Sequence, residues 1–179
     1  MLNKIILASK SKVRKSILDA NQINNEVKPS NLDEKTVKES LIKEKASPEM
    51  ISKNLAELKA NKVSLNELDC FVLGADSVID LEGELISKPE NREEAFLILK
   101  KLNGKKHHLI SSVCISKNGT MIWNYTDKAS LIMKKFLEDD LRKYLSKITD
   151  EALYSYNVYQ IEGEGRNLFS DIDGDKDTI

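Results

Sequence analysis

Apolar positions follow two rhythms along this chain, short unbroken runs that suit buried strands and three-to-four spacing that suits helices. Lys4-Ile5-Ile6-Leu7-Ala8 is a run of the first kind. Ser9 and Ser11 follow where a helix N-cap would sit, and Val13, Ile17 and Leu18 are spaced for one face of a helix ending near Asn21. The chain therefore opens as strand, polar turn, helix. Val27 to Glu34 reads as a loop carrying two carboxylates. Two lysine-rich helical stretches come next, the second starting near Pro48 and running through Leu55, Leu58 and Val63, and together they predict an outer helical layer. Phe71 to Asp76 predicts a second buried strand that ends in an acid, followed by Val78-Ile79-Asp80 and a turn at Glu82-Gly83.

Pro89 to Leu102 predicts a helix with Ala95, Leu97, Ile98 and Leu102 toward the core and Gly104 as its stop. His108 to Ser116 and Thr120 to Met133 predict strands around a Lys117-Asn118-Gly119 turn, and Phe136 to Ile148 a last amphipathic helix. This order implies an α/β fold with a mixed, twisted sheet and flanking helices. No repeat, low-complexity tract or linker interrupts it. A chain of 179 residues is long enough for one domain, or for two lobes sharing a core.

Charge narrows the function. Lys and Arg total 28 against 29 Asp and Glu, a formal net charge of -1, so no broad field draws the chain to nucleic acid or acidic membranes. Any anion site must be local. The N-terminal apolar stretch is too short for a signal peptide, and no run approaches the roughly 20 residues that span a bilayer. The expectation is a cytoplasmic protein. Cys70 and Cys114 lie in apolar runs without Cys or His at metal-ligand spacing, and read as buried thiols without chemistry.

Four polar groups stand where buried strands give way to loops, the usual place for α/β ligand sites. Ser9-Lys10-Ser11-Lys12-Val13-Arg14 combines hydroxyls, a helix N-terminus and cations able to cradle phosphate oxygens, and equally suits a plain N-cap with a solvated face. Asp33-Glu34 and Asp76 could hold a divalent cation between them and a polyphosphate, because Mg²⁺ prefers carboxylate and phosphate oxygens. Asp76 could also orient or deprotonate an attacking water. Asp33-Glu34 equally suits the start of a helix, where acids favour the dipole. Lys88-Pro89 and Lys59 complete the set, although a single lysine is most often a solvated surface group.

In order, these segments resemble the pattern of the Maf-like family of nucleotide pyrophosphatases. Its Ala-Ser-x-Ser start is matched by Ala8 to Ser11, its helical arginine by Arg14 and its Asp-Glu pair by Asp33-Glu34. Its Leu-Ala-x-x-Lys-Ala is matched by Leu55 to Ala60, its Gly-Ala-Asp by Gly74 to Asp76 and its Lys-Pro by Lys88-Pro89. Leu102 to His107 resembles its Leu-Ser-Gly-x-x-His, Tyr159 to Gly165 its aromatic, Gln-or-Glu, Gly signature, and Asp173-Gly174-Asp175 its late Gly-Asp.

The resemblance implies a single domain over residues 1–179, with two lobes around a cleft as in inosine-triphosphatase-like folds, usually as a homodimer. It implies hydrolysis of the α-β phosphate bond of non-standard or modified nucleoside triphosphates with Mg²⁺ or Mn²⁺. Carried over by position, Asp76 would be the catalytic acid-base group and Glu34 would help hold the metal. Ser9, Arg14, Lys59 and Lys88 would bind the triphosphate, Lys88 counting also among the catalytic groups. Val13, Ser77 and Glu162 occupy positions that separate family branches by base, which places Ser77 and Glu162 with the substrate-binding residues. The branch acting on dTTP and UTP has Arg, Thr and Gln there. Glu162 resembles the branch acting on 7-methyl-GTP, and an acceptor-only carboxylate suits a guanine N1 and N2 edge. The base expected is 7-methylguanine or a pyrimidine.

The family pattern runs on past its Gly-Asp with an apolar Gly-Leu-Pro stretch and a final helix, whereas this sequence stops at Ile179, so either that segment is missing or the packing differs. Other readings are an inosine-triphosphate-type pyrophosphatase, a nucleotide-binding regulator of septum formation without turnover, and a non-catalytic scaffold.

Overall fold

In a computed structural model of the protein, residues 4–161 and 163–178 are described. The expected α/β fold is present as a seven-stranded mixed sheet in the order β2 (Asn25–Val27), β1 (Ile5–Leu7), β3 (Val72–Leu81), β5 (Lys106–Lys117), β6 (Thr120–Met133), β7 (Phe169–Asp173), and β4 (Glu84–Ile86) pairs with β3 off that path. The chain divides into two compact units, residues 1–77 with 110–127 and residues 78–109 with 128–179. The long strands β3 (Val72–Leu81), β5 (Lys106–Lys117) and β6 (Thr120–Met133) contribute residues to both units. Among the described residues no helix is long and apolar enough to cross a membrane.

The first unit begins with β1 (Ile5–Leu7), which pairs in parallel with β2 (Asn25–Val27) and with β3. Between β1 and β2 runs α1 (Lys12–Ala20), capped by Ser11, whose side chain accepts from the Arg14 amide. Asp33 caps α2 (Glu34–Lys43). Ser47 caps α3 (Pro48–Ser64), with Pro48 in its first turn. α3 belongs to the expected helical layer and packs one face against β3. Ile51, Ser52, Leu55, Ala56, Lys59, Ala60 and Val63 are all buried in a single stripe, while Leu58, one of the apolar positions read from the sequence, is exposed.

One glycine sets how close α3 lies to β3. A Cβ on Gly74 would stand 2.1 Å from the Ala56 carbonyl oxygen and 2.9 Å from the Ala60 Cβ. Small residues on both sides let backbone meet backbone, and Ala56, Ala60, Val63 and Val72 join Ile6, Ala8 and Cys114 in one apolar core. Cys114 is a buried free thiol whose pKa burial pushes up, and Cys70 packs partly buried against the same core.

The second unit holds the end of β3, β4 (Glu84–Ile86), α4 (Arg92–Leu102), α5 (Glu138–Lys147), α6 (Asp150–Tyr156), a 3-10 turn (Glu164–Leu168) and β7 (Phe169–Asp173). The turn between β3 and β4 places Glu82 and Gly83 at φ of 56° and 89°, the mirror-image hairpin turn that glycine permits. In α4 the core face is Ala95, Phe96, Leu99 and Leu102, while Leu97 is 56% exposed, contrary to the sequence reading. An unbroken apolar run from Ala95 to Leu99 leaves the phase of the helix ambiguous. Asn91 caps the helix, which begins at Arg92, three residues later than the predicted start. The segments α6, β2 and β7 were not predicted, each being short and without strong periodicity.

His107 is fully buried, its Nε2 lies 3.0 Å from the Tyr159 hydroxyl, and its ring packs beside Phe169. Burial pulls its pKa from the ordinary 6.5 to about 4. Between those two pH values the unfolded chain binds the proton that folded His107 refuses, so stability is intact above pH 6.5 and falls as pH drops toward 4. Denaturant titrations should show a loss of about 1.4 kcal/mol per pH unit in that window from this group, and His107→Gln should flatten the slope. A second test concerns the helix-strand contact. Gly74→Ala should destabilise by about 1–3 kcal/mol or more through overpacking, read as a shift in denaturation midpoint.

Candidate active site

Six of the residues singled out in the sequence meet in the first unit, at the end of β1 and along β3. β1 stops at Leu7, paired with Leu73, and the Ala8 amide donates to the Leu73 carbonyl. The chain then turns through Ser9 into α1. Two residues further along the same edge of β3, the Ala75 carbonyl meets no β1 residue, and side chains take its place. Arg14 donates to it at 2.8 Å and Lys59 at 3.4 Å. Arg14 also donates to the Ser9 hydroxyl at 3.1 Å and to the Ser77 hydroxyl at 3.4 Å, and Ser77 lies 3.0 Å from the Ser111 hydroxyl. Burial draws the Arg14 guanidinium below its ordinary pKa, while the charges of Asp76 and Glu34 pull it back up.

Lys59 ties the acids together. Its ammonium lies 2.8 Å from Asp76 Oδ1 and 3.0 Å from Glu34 Oε1. The side chains of Lys59 and Asp76 are each 6% exposed, whereas that of Glu34 is 43% exposed, so a buried pair opens outward through Glu34. A lysine so placed belongs to the apolar stripe of α3 and not to the solvated face that its residue type suggests. It is tolerable there because its three partners are two carboxylate oxygens and one carbonyl oxygen.

Asp76 Oδ2 is buried and has no hydrogen-bond partner among the described residues. A buried carboxylate oxygen without a donor is costly, and its natural complement is a cation or a water held by a ligand. Glu34 and Asp76 share one ammonium, so their near oxygens are no further apart than those two contacts allow. Mg²⁺ is commonly held by one or two carboxylates and completed by phosphate oxygens and water, and this donor set fits that chemistry. No cluster of three or more His, Cys, Asp or Glu of metal-binding arrangement occurs among the described residues.

The Asp33-Glu34 pair divides its labour. The Asp33 carboxylate accepts from both the amide and the hydroxyl of Thr36, bonds that hold its pKa below the usual carboxylate range, and so it serves as the N-cap of α2. Glu34 alone turns to Lys59. Lys88 is exposed and lies in the second unit between β4 and α4, with Pro89 buried beside it. Val13 is half-buried on α1. Glu162 lies outside the described residues. Sequence reasoning missed the Ala75 carbonyl, Ser111 and Ser52, whose hydroxyl donates to the Asp76 carbonyl at 3.0 Å. Only the spacing of Ser52 from Lys59, seven residues and hence the same helix face, signalled the last.

A protein from Pelagibacter ubique named nucleoside triphosphate pyrophosphatase is 68% identical over 179 residues, covering 100% of this chain and 92% of its own. A 7-methyl-GTP pyrophosphatase from Rhizobium etli is 34% identical over 179 residues, covering 100% of this chain and 90% of its own. Among solved structures, the Staphylococcus aureus Ham1 protein matches with a TM-score of 0.48 and 16% identity over 73% of this chain and 72% of its own, too distant to bear on the site. The family described as Maf-like protein matches residues 4–179. By that match and by those two relatives, the chain belongs to the Maf-like protein family.

Proposed function

We propose that this chain is a hydrolase that splits nucleoside triphosphates between the α and β phosphates, releasing the nucleoside monophosphate and pyrophosphate. The observation that carries the reading is the buried Lys59-Asp76 pair, shared with Glu34 and leaving Asp76 Oδ2 without a donor. The names of the relatives from Pelagibacter ubique and Rhizobium etli agree with it.

Charge arithmetic favours a cation as partner. Arg14 and Lys59 are balanced by Glu34 and Asp76, so this cluster by itself offers a polyphosphate no net attraction. A divalent cation held by Glu34 and Asp76 would supply the missing positive charge and polarise the phosphate it contacts. Lys88 would add a further cation to the polyphosphate. Ser9 and Arg14 would hold phosphate oxygens near the start of α1. The Asp76 carboxylate would orient the attacking water and take up its proton, and Lys59 would keep that carboxylate oriented through Oδ1. Ser77 and Glu162 would contact the nucleoside, with a modified purine such as 7-methylguanine, or a pyrimidine, as the base. The same reading carries a homodimer in the cytoplasm, which sedimentation of the purified chain would test for assembly.

Pyrophosphate release from dTTP, UTP, 7-methyl-GTP and ITP with Mg²⁺ or Mn²⁺ tests the activity. The expected outcome is turnover of at least one member, abolished by chelator and restored by either metal. Asp76→Asn should lower kcat by about 10²–10⁴-fold while the chain still binds nucleotide. Full turnover in that variant would refute the role of Asp76, and binding without any turnover by the wild type would favour a nucleotide-binding regulator. Glu34→Gln should raise the metal concentration for half-maximal rate by about tenfold or more. An unchanged metal dependence would remove Glu34 from the cation site. Preference for dTTP over 7-methyl-GTP would reject the purine assignment of Glu162.

A further inference from the structure

We propose that Ser52 is a positioning residue for Asp76, holding the main chain of that residue while Lys59 holds its carboxylate. The proposal rests on the reading of Asp76 as the acid-base group. Ser52 lies in the second turn of α3 and is 0% exposed. A helical serine in an apolar setting usually turns its hydroxyl back to its own helix, four residues earlier. Ser52 instead donates across to the Asp76 carbonyl at 3.0 Å, 24 residues further along the chain.

Two turns separate Ser52 from Lys59, which places them on one face of α3 with Ala56 between them. That face meets β3 at three points. Ala56 and Ala60 close on Gly74, Lys59 reaches the Ala75 carbonyl and the Asp76 carboxylate, and Ser52 takes the Asp76 carbonyl. The carbonyl of the peptide joining Asp76 to Ser77 thus accepts from a side chain of α3. A single helix face sets both ends of the same residue. Without the Ser52 hydroxyl that peptide gains freedom to tilt, and the Asp76 carboxylate moves relative to Lys59 and to the water it would activate.

The test compares Ser52→Ala and Ser52→Cys with the wild-type chain, using the triphosphate of the panel above that wild type turns over fastest. Alanine is the better helix former and offsets part of the lost hydrogen bond, so melting temperature should stay within a few degrees. Expected is a fall in kcat of about tenfold for Ser52→Ala, with KM within twofold. Cysteine keeps the volume with a weaker donor, so Ser52→Cys should lie between the two. Wild-type kcat in Ser52→Ala overturns the inference. So does full recovery in Ser52→Cys, which would assign the effect to volume alone, and so does a loss that follows the fraction of unfolded chain. Absence of turnover by the wild type, or full turnover by Asp76→Asn, overturns the acid-base reading itself and this inference with it. Normal controls with an unaffected Ser52→Ala overturn the inference only.

Discussion

A lysine ammonium buried against an aspartate, at the point where a helix touches a strand backbone to backbone, is the contact on which the rest of the site depends. Lys59 can reach Asp76 because Gly74 has no side chain and Ala56 and Ala60 have small ones. Larger residues at those positions would lift α3 off β3 and strand the ammonium in an apolar layer. Taking two charges out of water costs several kcal/mol per ion, and an ion pair repays it only with good geometry and further partners. The Ala75 carbonyl and Glu34 provide those partners for Lys59. Asp76 is left with one oxygen unsatisfied, which marks where the pair is built for something besides stability.

The end of β1 contributes the second constraint. Because β1 is three residues long, β3 outruns it, and the carbonyl of Ala75 becomes a junction for Arg14 and Lys59. Arg14 then joins Ser9 and Ser77, residues from two separate segments, into one hydrogen-bonded group. The phosphate-binding reading of the first turn and the acid-base reading of β3 are therefore physically one site. Its four charges cancel, so affinity for a polyphosphate has to come from added cations and from hydrogen-bond donors.

Much of this was legible in the chain. The strand-turn-helix opening, the helix at Pro48 and the hairpin at Asn118-Gly119 all follow from periodicity and turn chemistry, and the structure has each of them, whereas the strand expected to end in Asp76 runs on to Leu81. What the pattern hid was the direction of individual side chains. Lys59 reads as a surface residue because lysines nearly always are, and only the tertiary contact with Asp76 and Glu34 reverses that expectation. Asp33 and Glu34 look equivalent in sequence, yet the cap on Thr36 claims one and leaves the other for Lys59. Leu97 looks like core and is exposed, since an unbroken apolar run carries no phase. Ser52 was nearly hidden for a related reason, since its seven-residue spacing from Lys59 marks the shared helix face but not the acceptor.

Crystals grown with Mn²⁺ and a nucleoside triphosphate analogue whose α-β bridging oxygen is replaced by methylene address the central claim most directly. The anomalous signal of the manganese should sit against Glu34 and Asp76 Oδ2, with the phosphates reaching Ser9 and Arg14. Manganese and phosphates bound elsewhere, with Lys59 still closed on both carboxylates, would contradict the account.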